Sequence, residues 1–334
     1  MTALAPHLSF FLREHLPRER GVSPHTVKTY ANCFVLLVRF TADRLKRRPT
    51  DLEIEDFGID MILAFLDNVE TGRGNCVGTR NGRLAAIRAF FRYIEYRVPV
   101  CLDQALRVRS IPSKKTGKPL IDYLDRTEIA ALLDAPDPGT RLGTRDRAML
   151  HLAYAGGLRV SELVLLQLRD FPDRSLSTVH IMGKGRRERV LPLWKETRSA
   201  LRAWLAIRDD TKAAEVFLNA NGEPMTRDGF AFRLAGCVEK AAVKQPSLLK
   251  KHITPHVLRH SCAMHTLDAT GDIRKVALWL GHASIQSTEA YLRADPGEKL
   301  QILAAHGAPA IKRGRFKPPS DALMAMLTDV RRRG

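Results

Sequence analysis

The amino-acid sequence predicts a mainly α protein with a small β-hairpin, an α+β chain built in two parts. Three observations predict it. Apolar residues recur at helical spacing between Leu8 and Ile94, and again beyond Leu124. Only residues 177–193 alternate like paired strands, on either side of Gly183-Lys184-Gly185. Between the two helical parts, residues 99–119 contain RVRSIPSKKTGKP, which mixes Pro, Gly and basic residues without apolar periodicity.

Taken in order, Leu8, Phe11 and Leu12 open an amphipathic segment that residues 17–21, starting at Pro17, are expected to break. Ser23-Pro24 starts a second helix as cap and first position, with Val27, Tyr30, Phe34, Leu37 and Val38 on its apolar face. A third helical run covers 59–69 and ends in a loop at 71–78. A fourth covers 79–96, with Leu84, Ile87, Phe90, Phe91 and Ile94 at helical spacing. Lys28, Arg80, Arg83, Arg88 and Arg92 decorate these helices, and a charge run is most often a solvated face. In the second part, Asp125 or Thr127 caps a helix through Leu133, and a helix over 144–154 stops at Gly156-Gly157. Residues 160–168 resume it, leaving Arg159 at a helix N-terminus, where the dipole and free amides favour an anion. Helices over 196–207 and 227–243 carry no functional signal.

The charge balance narrows the partner. With 54 basic against 36 acidic residues in 334, the formal charge is +18, which favours a polyanion, most often nucleic acid. The 45% hydrophobic content is enough for a sizeable core and excludes wholesale disorder. No apolar run reaches the roughly 18 residues of a membrane span, and the start of the chain lacks a signal-peptide core, so a cytoplasmic location is expected. Cys33, Cys76, Cys101, Cys237 and Cys262 are odd in number, scattered and without a C-x-x-C pair, as reduced thiols would be.

Residues 254–291 concentrate the reactive groups. Thr254 reads as an N-cap and Pro255 as the first helical position, so His256 and Arg259 share a face one turn apart. Gly271 and Gly281 read as helix stops, and Ser284 opens a short segment carrying Tyr291. His282 follows Arg259 by 23 residues, and Tyr291 lies nine further on. Two imidazoles, a fixed cation and a phenol in so basic a chain suggest phosphodiester chemistry. His252, His256 and His260 have metal-like spacing, but Pro255 separates His252 from the helix and the acidic partner of H-E-x-x-H is absent. Gly183-Lys184 is no P-loop, because G-x-x-x-x-G-K-[ST] is missing. No metal or other cofactor is expected.

The H-x-x-R of His256 and Arg259, the Leu-Gly-His ending at His282 and the spacing to Tyr291 resemble the tyrosine recombinases, also called the phage integrase family. The resemblance continues at Arg159, with Glu162 three residues on, and at Lys184 in GKGRRERVLPL. It is strong over 120–295 and moderate over 1–98, where S-x-x-T-x-x-x-Y from Ser23 to Tyr30 is similar to the family's second helix. It implies a helical core-binding domain (1–98) that clamps DNA, a basic linker (99–119), a catalytic domain (120–306) and a basic tail (307–334).

The resemblance also implies roles. Tyr291 is the nucleophile, Arg159, Arg259 and His282 contact the scissile phosphate, and His256 serves as base or phosphate contact. Lys184 is the general acid and Glu162 a supporting residue. The reaction would be site-specific cutting and rejoining of DNA through a 3′-phosphotyrosyl link without metal or ATP, in integration or transposition of a mobile element or a similar process. The partner would be double-stranded DNA, with a homo- or hetero-tetramer on two duplexes. Candidate DNA contacts are Lys28, Arg80, Arg83, Arg88, Lys114, Lys115, Arg186 and Arg187; Arg189 reads as a phosphate contact or solvated charge. His260 and His265 read as structural or cap contacts, and residues 298–305 as a helix that packs on a neighbouring protomer. Two alternatives share parts of this pattern: DNA relaxation of the type IB topoisomerase kind, and a catalytically silent DNA-binding protein of the same fold.

Overall fold

The structure, a computed structural model, describes residues 2–117, 121–183, 188–209, 213–281, 288, 291, 292, 326 and 331. Lys184, Arg186, Arg187, His282, Ser284 and the expected 298–305 helix lie outside the described residues. The chain divides into two compact units, Met1–Lys118 and Pro119–Gly334. Among the described residues no helix is long and apolar enough to cross a membrane.

The N-terminal unit is helical. Helix α1 (Leu4–Phe10) runs without a break into a π-helical segment, Phe11–Glu19, that contains Pro17. The expected break falls at Arg20–Gly21, within residues 17–21, and Pro17 itself stays inside the helical winding. The wider i→i+5 winding, seen in the bond from the Arg20 amide to the His15 carbonyl, accommodates a residue that lacks an N–H and crowds the preceding turn. Helix α2 (Pro24–Leu45) starts as its sequence implies, with Ser23 Oγ accepting from the Thr26 amide at 3.3 Å. Helices α3 (Ile59–Asp67) and α4 (Val77–Arg97) complete a core around Phe11, Phe34, Phe65, Phe90 and Phe91. Each such side chain contributes about 1.5–3 kcal/mol on burial.

The stretch read as a linker needs correction. Residues Pro99–Cys101 form a 3-10 turn, and Leu102–Ser110 form helix α5, which packs on α4. Cys101, Ala105, Val108 and Ile111 are buried in the unit's core. Leu102 and Leu106 are exposed on the same helix and blur its periodicity. Beyond Ser110 the chain is extended, and Asn81 ties it to α4 by hydrogen bonds of 2.8 and 3.1 Å to the Lys114 backbone.

In the second unit, Asp125 caps helix α6 (Arg126–Asp134) in a capping box with Glu128. Helix α7 (Arg141–Ala155) is central, packing on α9 (Lys195–Ile207) and α11 (Pro255–Thr270). Between α7 and α9 come the short α8 (Val160–Val164) and an antiparallel pair, β1 (Thr178–Met182) and β2 (Glu188–Pro192). Val179 faces Leu191 and Ile181 faces Arg189, so the period of two turns these four side chains toward the core. Helix α10 (Arg227–Ala242) packs on α6, and α12 (Ile273–Leu280) packs on α11. Helix α11 begins at Pro255 as expected, but the Thr254 side chain makes no capping bond.

Candidate active site

Glu162 is the hub of the site. It is buried on α8 and meets guanidiniums from two other points in the chain. Its Oε2 accepts the Arg159 amide at 3.0 Å and Oε1 accepts Arg159 Nη1 at 2.7 Å. Arg189 Nη2, from β2, donates to Oε2 at 2.8 Å. Arg259 Nη1, from α11, lies 4.0 Å from the same oxygen. Burial raises the carboxyl's pKa, but hydrogen bonds and charge from Arg189, then Arg159, outweigh it and hold Glu162 below the ordinary carboxylate range. Three guanidiniums around one carboxylate leave the cluster net positive, as an anion site requires.

Helix α8 spans only five residues, not the nine expected from the sequence. So short a helix adds little dipole, and the positive charge gathered here belongs to the guanidiniums. Of the two readings of Arg189, the solvated charge is corrected: its side chain is 10% exposed and ties the β-hairpin to Glu162. The signal was present in the strand alternation, which puts Arg189 on the same face as Leu191.

Arg259 is 4% exposed. Its fork holds two turns of backbone together, Nη1 donating to the Gly157 carbonyl and Nη2 to the Leu280 carbonyl at 2.8 Å. Burial, then the charge of Arg159, pull it down to about 10, still far above neutrality, so it stays cationic. The close approach depends on Gly157, where φ is +53° and a Cβ would come within 2.4 Å of Leu280 Cδ2.

Tyr291 lies against α11 and is 3% exposed. Burial pushes its phenol up to about 12, while Arg259 and Arg159 pull in the opposite direction. Its hydroxyl lies 3.0 Å from His260 Nδ1, with the two rings edge-on at 5.7 Å. His260, read from the sequence as a structural or cap contact, thus touches the Tyr291 hydroxyl directly. His256, one turn earlier, is exposed, and its ring stacks 6.3 Å from that of His260. Burial, then the charges of His256 and Arg259, push His260 down to about 4, so its imidazole is neutral. Moving a proton from a phenol near 12 to an imidazole near 4 is uphill by on the order of 10 kcal/mol. A neutral His260 is therefore a hydrogen-bond partner for the phenol, not a base strong enough to ionise it. His265 bonds Tyr154 at 2.8 Å instead, as a structural contact.

The structure thus brings Arg159, Glu162, Arg259 and Tyr291 together with His256 at the rim. Lys184 and His282 lie outside the described residues. Among the described residues no group of three or more His, Cys, Asp or Glu is placed to hold a metal ion. The proposed DNA contacts of the N-terminal unit divide. Lys28 and Lys115 are exposed. Arg80 is 5% exposed, facing Glu70 at 4.0 Å, and is corrected from a surface contact to a buried ion-pair partner. Lys114 also pairs with Glu70, at 2.7 Å. Arg83 donates to the Thr29 carbonyl, and Arg88 to Ser113 and the Ile111 carbonyl, so each is partly engaged within the unit.

Comparison with known proteins agrees with the geometry. Residues 122–298 match the phage integrase family. The chain is 38% identical over 328 residues to y4rC of Sinorhizobium fredii, named as an integrase/recombinase, covering 98% of each chain. It is 38% identical to the tyrosine recombinase XerC of Myxococcus xanthus, over 87% of this chain and 94% of that one. A solved structure of the XerH site-specific recombinase, bound to a palindromic difH substrate in a post-cleavage complex, shares the fold. Its TM-score is 0.66 and its identity 22%, over 88% of this chain and 83% of that one. With a positively charged arginine cluster beside a buried tyrosine and full-length likeness to recombinases, the chain belongs to the phage integrase family, the tyrosine recombinases, enzymes that break and rejoin DNA.

Proposed function

We propose that this recombinase cuts at a specific DNA site by attack of the Tyr291 oxygen on a phosphodiester, forming a 3′-phosphotyrosyl link and releasing a 5′ hydroxyl. The observation that carries this is the Tyr291 phenol, buried against α11 within the electrostatic reach of both Arg259 and Arg159. Ionising a phenol near 12 at pH 7 costs about 7 kcal/mol, so attack must be coupled to proton removal and to neutralisation of the growing phosphoryl charge. Arg159 and Arg259 supply that neutralisation through charge-assisted bonds to the non-bridging oxygens. Arg259 uses two of its N–H groups on backbone carbonyls, and the guanidinium retains others for the phosphate. His256 and His282 add hydrogen bonds to the phosphate, or His256 accepts the phenolic proton. Lys184 protonates the leaving 5′ oxygen. The covalent link conserves the bond energy, so resealing needs no ATP.

Tyr291 contacts the α11 of its own chain, which supports cleavage in cis. Exchanging every strand of two duplexes then takes four tyrosines, and hence a tetramer, with one kind of recombinase or two. Residues 1–98 would grip the duplex, with Lys28 and Lys115 among the exposed cations that meet its backbone. The cytoplasm is the expected compartment for such a reaction.

The test begins with sheared DNA from the source organism, incubated with the full chain, quenched in denaturant and sequenced from the protein-linked fraction. A nicked duplex of the recovered sequence should then give a denaturant-resistant adduct with the wild type. Tyr291→Phe should bind that duplex and give none. An equally strong adduct from Tyr291→Phe would remove Tyr291 as the nucleophile.

A further inference from the structure

We propose that His260 is a positioning residue for strand cleavage: its Nδ1 accepts the hydrogen of the Tyr291 hydroxyl and holds the phenolic oxygen in place for attack. This role presupposes Tyr291 as nucleophile.

Two observations carry it. The first is distance, 3.0 Å from His260 Nδ1 to the Tyr291 oxygen, across 31 residues of chain. The second is placement. His260 directly follows Arg259 on α11, so one turn of one helix offers the phenol a cation and an acceptor together. The edge-on ring contact at 5.7 Å and the stack on His256 at 6.3 Å leave the imidazole little freedom to rotate away.

The direction of the hydrogen bond belongs to the inference itself. A neutral imidazole has one donor and one acceptor nitrogen. If Nδ1 carried the proton, it would donate to the phenolic oxygen and occupy a lone pair needed for attack. With the proton on Nε2, Nδ1 accepts and the hydroxyl's hydrogen points at the imidazole. The neutrality that burial and the neighbouring charges impose on His260 fits an acceptor and makes a poor proton store. Positioning is thus the contribution this side chain can make. Misplacing a nucleophile by about 1 Å can cost on the order of a hundredfold in rate.

The experiment uses full-length protein and the nicked duplex recovered in the adduct. Single-turnover adduct formation, duplex affinity and thermal melting are measured for wild type, His260→Phe, His260→Asn and Tyr291→Phe. Phenylalanine keeps the ring and removes the acceptor. Asparagine places its amide oxygen where Nδ1 stood and cannot titrate. His260→Phe is expected to slow adduct formation by roughly tenfold or more with duplex affinity unchanged, and His260→Asn to recover most of the rate. A wild-type rate in His260→Phe overturns the inference. So does a His260→Asn protein that melts like the wild type yet cleaves as slowly as His260→Phe. Tyr291→Phe separates the two levels of failure: an adduct there removes the nucleophile itself, whereas its absence beside a fast His260→Phe removes only the positioning role.

Discussion

At the scale of single residues, the site is a balance of charge around Glu162, and that balance was only partly legible. The sequence picks out Arg159, Glu162, Arg259 and Tyr291 because reactive types at fixed separations are rare. It misplaces Arg80 and leaves Arg189 undecided, because an arginine paired with a carboxylate within the fold looks the same in sequence as one facing solvent. His260 escapes for another reason: its partner lies 31 residues away, and only the folded chain reveals it. Glu162→Gln should cost about 3 kcal/mol in urea unfolding, because it leaves buried guanidiniums without their counter-charge. The pH dependence follows in sign. The folded carboxyl titrates below its ordinary 4.5, so its stabilisation is present above that value and is lost as pH falls through the lower, folded pKa. Glu162→Gln should therefore show a shallower acid limb than wild type. An unchanged acid limb would mean Glu162 is not what couples stability to pH there.

At the scale of elements, caps and stops were readable and irregular windings were not. Ser23, Asp125, Gly271 and Gly281 mark helix ends as their chemistry demands. The π-helical passage through Pro17 and the burial of α5 depend on what packs against them, which local propensity does not encode. The turn at Gly157 is the most sensitive joint of the site. Gly157→Ala should destabilise by about 2–4 kcal/mol, combining a left-handed backbone with a side chain driven into Leu280 and Cys262. Gly271 has a similar φ of +59° but open space around its missing Cβ, so Gly271→Ala should cost only about 1–2 kcal/mol. Urea unfolding of both checks the difference. Gly157→Ala should also slow adduct formation, since the Gly157 carbonyl anchors Arg259. Equal costs in the two variants would remove packing at Gly157 as the explanation.

At the scale of the whole molecule, two units with separate cores share one excess of positive charge. Duplex affinity should fall linearly on a log–log plot against salt, by about 0.9 per phosphate contacted, giving a slope of roughly −5 for six contacts. Isotherms at several salt concentrations measure it, and a flat plot would show that the +18 is a solvated surface with little part in binding. The sequence by itself determined the mainly helical class, the polyanionic partner and the reactive residue types, because composition, periodicity and motif spacing are local or additive properties. Only the tertiary structure decided which arginines are spent on a buried carboxylate, and where α5 belongs. It also decided that His260 meets the Tyr291 hydroxyl. Those outcomes depend on burial and on contacts between distant segments, which arise when the core closes.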